Sequence, residues 1–112
     1  MTKSDLLRVN FTLSTAAKAA AEAVRHEYDM RSPDDPAALL SVSWGHVEGT
    51  DPSAGRVMLG YYLQSEVPAV EHGIQEVSGL KFIYFTTERF HPLFEGKVID
   101  HSPERGFFLR VP

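Results

Sequence analysis

One segment decides most of what this chain can become: "TAAKAAAEAVRHEYDM", Thr15 to Met30. It is rich in alanine, which enters a helix at the least cost in side-chain freedom. Ala17, Ala20, Ala21, Val24 and Tyr28 recur at helical spacing and form a face of mostly small side chains. Lys18, Glu22, Arg25 and Glu27 lie mostly outside that face. A face this small lets a helix lie close against a sheet. Ser14 or Thr15 is placed to cap it.

The rest of the chain reads mainly as short strands. "RVNFTLS", Arg8 to Ser14, alternates, with Val9, Phe11 and Leu13 on one side. "RSPDDP" breaks the helix, and "AALLSVSW" follows as a strand with Leu40, Val42 and Trp44 alternating. Gly45 to Gly55 is polar and glycine-rich and reads as a long hairpin loop. "RVMLGYYLQ" returns with Val57, Leu59, Tyr61 and Leu63 on one face, and Gly60 marks a bulge or a close backbone approach. A weak strand is expected around Val70 to Val77, broken by Gly73, and then a strong one over "LKFIYFT". "TTERFHPLFEG" reads as a short helix capped by Thr86 or Thr87, with Phe90, Leu93 and Phe94 as its apolar stripe and Gly96 at its end. "KVIDH" and "GFFLRVP" are the last strands. The order predicts one α+β domain over residues 1–112, a mostly antiparallel sheet system covered by helix.

Composition narrows the function classes. With 43% apolar and 23% charged residues the chain resembles an ordinary globular protein. Lys and Arg are scattered from Lys3 to Arg110 and the formal charge is −4, which argues against nucleic acid as a partner. No apolar run reaches the roughly 20 residues of a membrane-spanning helix. "MTKSDLLRVNF" has no apolar signal core, so a cytoplasmic protein with no membrane partner is the expectation. Cysteine is absent, which excludes disulfides, thiolate nucleophiles and Cys-ligated zinc or iron–sulfur centres within the chain.

Several segments together resemble HesB-like domains, the A-type iron–sulfur carrier family. "FTLSTAAKAAAEAV" is similar to the family's opening strand, Leu-Ser pair and Ala-rich helix. "ALLSVSWGHVEG" and "VMLGYYLQ" resemble its central hairpin. "VSGLKFIYFTTERFHPLFEGKVIDHSPERGFFLRVP" resembles its closing strand, short helix and final hairpin. The resemblance runs from Val9 to Pro112 and implies mostly antiparallel sheets or a flattened barrel. The departures bear on function. The family's hairpin loop carries a cysteine between glycines; here it holds Gly45, His46, Val47, Glu48 and Gly49. The family's Cys-Gly-Cys follows the closing proline, whereas this chain ends at Pro112. The resemblance thus implies the fold and a link to iron–sulfur metabolism, but not cluster carriage, because neither valine nor glutamate replaces a soft thiolate.

Four residues are singled out as candidate sites. His46 and Glu48 offer an imidazole and a carboxylate in a flexible loop, a pair suited to iron or zinc, against the alternative of a solvated loop. Tyr61 and Tyr62, like Phe107 and Phe108, are adjacent aromatics, so one of each pair points away from the core. Tyr62 and Phe108 are therefore expected at an interaction surface, for a homodimer or a protein partner. Glu88, His91 and Glu95 share a helix face, expected to be the solvent face. Asp100 and His101 point to opposite sides of a strand, and His72 beside Glu71, in the least readable segment, is expected like His101 to be a partly buried or surface histidine. There is no Gly-x-Ser-x-Gly, phosphate-cradling glycine loop or His-Glu-x-x-His, so no catalytic residue is assigned and no cofactor is expected. The expectation is a non-catalytic binding module. A metal protein using the hairpin loop is the alternative, and a small-molecule binder or enzyme with a pocket between helix and sheet is a third reading.

Overall fold

The computed structural model describes residues 7–77 and 79–112. The first six residues, on which part of the signal-sequence reading rests, and Ser78 lie outside them.

The long helix forms as its composition requires. α1 spans Thr15–Arg31, with Ser14 as N-cap: the Ala17 N–H donates to Ser14 Oγ at 3.0 Å. Ala17 and Ala21 are buried against the sheets, while Glu22, Arg25 and Glu27 stay in water. The same Ser14 hydroxyl donates to Asp100 Oδ1 at 2.7 Å. One side chain thus caps the helix and moors it to a strand near the far end of the sequence.

The strands fall into two sheets. β2 (Ala37–Gly45), β3 (Arg56–Leu63), β4 (Ile74–Val77) and β5 (Leu80–Phe85) form one sheet in the order β3-β2-β5-β4. β1 (Thr12–Leu13), β6 (Val98–Ser102) and β7 (Gly106–Arg110) form the other, in the order β1-β6-β7. The pairings β2–β3, β4–β5 and β6–β7 are antiparallel; β1–β6 and β2–β5 are parallel. The architecture is α+β with mostly antiparallel pairing. The flattened-barrel expectation is corrected: β3 and β7 are edge strands of separate sheets, and no ladder closes a barrel among the described residues.

Between the sheets lies an aromatic core. Phe11 touches Phe82, Tyr84 and Phe94, with ring centroids 5.0 to 5.9 Å apart. Phe94 also meets Tyr84 and Trp44 edge-on. Phe82, Phe94, Ile99 and Val42 are fully buried. Alternation explains the sorting: Leu40, Val42, Phe82 and Tyr84 stand on one face of paired strands, with Val57, Leu59 and Tyr61 beside them.

Four local expectations change. The opening strand shrinks to Thr12–Leu13, because residues 7–11 cross the core face instead. There Gln75 serves them by side chain, accepting from Val9 N at 3.0 Å and donating to Leu7 O at 2.8 Å. The weak strand starts only at Ile74. Ahead of it, Gln64–Glu66, α2 (Val67–Val70) and Glu71–Gly73 are single helical turns, with Pro68 in a first turn where its missing N–H is harmless. The short helix α3 covers only His91–Phe94, starts at Phe90 without a side-chain cap, and places Pro92 in its opening turn. Neither Thr86 nor Thr87 caps it. The register runs evenly past Gly60, so no bulge forms there; the irregularity lies between Ala37 and Leu39. Gly60 is a close approach instead, since a Cβ would sit 3.2 Å from the Tyr28 hydroxyl.

Two outcomes follow for stability. Phe94→Ala removes a fully buried ring that packs on Phe11, Trp44 and Tyr84 and should cost about 3–5 kcal/mol, read from urea unfolding, whereas Phe85→Ala, at a site 67% exposed, should stay within about 0.5 kcal/mol. Asp100 accepts from Ser14 Oγ, from Arg110 Nε at 2.6 Å and from the His101 N–H at 2.8 Å, and these bonds, the Ser14 hydroxyl foremost, hold its carboxyl at about 2. A carboxyl depressed in the folded state stabilises above its unfolded value near 3.9 and loses that contribution as pH falls toward 2. Acid unfolding should therefore steepen between about pH 4 and pH 2 in the native chain, and Asp100→Asn should flatten that limb while lowering stability at pH 7.

Candidate functional site

Where the two sheets fail to join, a cleft of about 550 Å³ opens. Its walls come from five places in the chain. Trp44 lies near the end of β2, Arg56 and Val57 at the start of β3, and Leu93 in α3. Lys97 precedes β6, and Arg105, Phe107, Phe108 and Leu109 come from the last turn and β7. Three cationic side chains share this lining, and it contains no carboxylate and no imidazole.

Each cation is held by the fold. Arg56 Nη2 donates to the Arg105 carbonyl at 3.3 Å, tying the start of β3 to the β6–β7 turn. The Arg105 guanidinium lies over the Phe108 ring, 3.8 Å from its centre, a stacking that fixes the charge on an aromatic face. The Lys97 backbone is pinned on both sides: its N–H donates to Phe94 O at 3.0 Å and its carbonyl accepts from Thr12 N at 3.1 Å. Among the described residues the ion pairs are Glu22–Arg25 and Asp100–Arg110, so none of the three cleft cations has a carboxylate partner. Like charges gathered on low-dielectric walls raise the local potential and favour an anion.

The aromatic wall is also built in. Trp44 meets Phe94 edge-on at 5.8 Å. Gly55 lies directly beneath its indole: a Cβ there would come within 2.7 Å of the ring nitrogen and would overlap the Gly45 carbonyl. Any side chain at Gly55 would push Trp44 out of place. A second hollow, of about 400 Å³ and bordered by His46, Val47 and Met58, adjoins the cleft through Gly55 and Arg56.

The residues anticipated from sequence are placed as follows. His46 Nε2 lies 2.8 Å from Thr50 O; a carbonyl only accepts, so this nitrogen carries the hydrogen and donates. Its ring packs on Phe90 at 5.3 Å. Glu48 is exposed. Among the described residues no group of three or more His, Asp or Glu stands close enough to hold a metal ion. Phe108 reaches the cleft, with Arg105 on its ring, but Tyr62 pairs with Leu39 on the outer side of the four-stranded sheet and is not part of the lining. Glu88, His91 and Glu95 do not share a helix face, because α3 begins at His91. Glu88 and Glu95 are exposed, as expected, but His91 turns inward: its Nδ1 lies 3.0 Å from the Tyr84 hydroxyl and its Nε2 lies 3.4 Å from Asn10 Nδ2. Burial and the Glu95 charge push the Tyr84 hydroxyl up, so it stays protonated. His72 is exposed, and His101 packs edge-on against Phe107 at 4.8 Å.

The cleft cations escaped the sequence reading because positions 56, 97 and 105 are far apart and look scattered. One faint signal existed: Arg56 follows Gly55 and Arg105 precedes Gly106, so both sit at turn ends where the chain reverses. No helix among the described residues is long and apolar enough to cross a membrane. No protein-family model, curated protein or solved structure matches this chain.

Proposed function

We propose that this chain is a non-catalytic binding module whose seam cleft takes a small organic anion. One observation carries the reading: three cationic residues and not a single carboxylate line one partly aromatic cleft, in a protein whose formal charge is −4. Leaving cations uncompensated while acidic residues are plentiful elsewhere is the arrangement an anionic ligand completes. The volume falls in the range of small-molecule sites, roughly 300–1,000 Å³. The lining offers charge and apolar surface but no carboxylate or imidazole to serve as a base, which supports binding over catalysis.

Trp44 is the single tryptophan and lines the cleft, so its fluorescence reports occupancy. Titration with a set of small carboxylates and phosphates should give at least one saturable change that weakens with added salt. The triple variant Arg56→Ala, Lys97→Ala, Arg105→Ala should weaken that binding at least tenfold while circular dichroism stays native. Binding by none of the anions, or equal binding by the triple variant, would overturn the reading.

A further inference from the structure

The cleft says more than that its ligand is negative. Phosphate alone would satisfy three cations, yet it would fill only a small part of about 550 Å³ and would make no use of the aromatic lining from Trp44, Phe107 and Phe108. We infer that the ligand is an aromatic acid: a flat ring system lying along the Trp44 and Phe107 wall, with its carboxylate or phosphate held by Arg56, Lys97 and Arg105. This rests on the anion-binding reading above and specifies it.

Three observations carry the inference. The first is pre-organisation of flat surfaces. Trp44 is fixed edge-on to Phe94 and is seated on Gly55, where no Cβ fits. A ligand ring therefore meets an aromatic wall that loses little freedom on binding. The second is the Arg105–Phe108 stack. It holds a planar guanidinium 3.8 Å from the ring centre, and the Arg56 bond to the Arg105 carbonyl steadies the same turn. A guanidinium fixed in this way presents its fork to a carboxylate or phosphate in two parallel hydrogen bonds. The third concerns the most obvious rival, an extended acidic peptide laid between β3 and β7 to close the barrel. An interposed strand needs its two neighbours about 10 Å apart, twice the inter-strand spacing. Where β3 and β7 come closest their Cα atoms lie within 8 Å, so a continuous strand cannot be laid along the whole seam, whereas a compact ligand needs only the part that opens into the cleft.

The test is isothermal titration calorimetry of the intact chain with four probes: 2-naphthoate, its saturated counterpart decahydro-2-naphthoate, 2-naphthamide and inorganic phosphate. The expected result is that 2-naphthoate binds about tenfold or more tighter than either the saturated acid or the neutral amide, since stacking and charge each add to affinity. Phe108→Leu should weaken 2-naphthoate several-fold with circular dichroism unchanged. Gly55→Ala should weaken it by displacing Trp44; if that variant does not fold, Trp44→Leu tests the same wall. Binding of the saturated acid or of phosphate as tightly as 2-naphthoate would overturn the aromatic inference and leave the anion-binding reading standing. Failure of every probe, together with no anion response in the Trp44 titration, would overturn both.

Discussion

The two sheets of this protein are held together chiefly by side chains. No backbone ladder crosses from one to the other among the described residues, so side-chain packing is the main join, with the aromatic cluster of Phe11, Phe82, Tyr84 and Phe94 at its centre and Leu13 and Ile99 in the same core. Phe94 is central to it. Its ring comes from a single-turn helix between the sheets and touches residues of β2, β5 and the opening segment. Dispersion depends on close fit, and edge-to-face pairs add a preferred ring geometry, but neither fixes one sheet edge against the other as a backbone ladder would. That leaves the sheet edges free to diverge where the cluster ends, and the cleft is the space so created.

Charge then gives the cleft its character. Three of the eleven Lys and Arg residues line it, although only the glycines beside Arg56 and Arg105 hint at this in the sequence. Two are set by turns: Arg56 opens β3 after the long hairpin, and Arg105 closes the turn before β7. The third, Lys97, stands between α3 and β6, where both its backbone groups are bonded. The polar junction at Asp100, which is paired with Phe108 across the β6–β7 ladder, is of a different kind. There Asp100 is matched by Ser14 and Arg110, and the charge is spent on holding the fold.

Sequence reading succeeded where a local pattern had a single physical cause. The helix over Thr15–Arg31, its Ser14 cap, the strands β2, β3 and β5, and the final hairpin were legible because alanine content, capping chemistry and period-two alternation act within a few residues. It failed where a distant contact decided the outcome. Residues 7–11 look like a strand but are taken up by the Gln75 side chain. His91 looks like a solvent-facing histidine, but the late start of α3 turns it toward Tyr84. Gly60 signalled a special position correctly, and only the fold could show that Tyr28 was the reason. The cleft itself was illegible, since it is assembled from five segments and lies where a barrel was expected to close.

The helix has a role beyond covering the core. Its N-cap residue, Ser14, is moored to Asp100 of β6, and about two turns further on the Ala21 carbonyl accepts the Tyr61 hydroxyl of β3 at 2.9 Å. α1 is therefore a rigid strut fastened to one strand of each sheet. An α-helix resists stretching and has a fixed rise of about 1.5 Å per residue. The distance between those two moorings, and with it the splay of the sheets, is consequently gauged by a count of helical residues. The cleft's aperture is in this sense written into α1, a segment that contributes no atom to its walls.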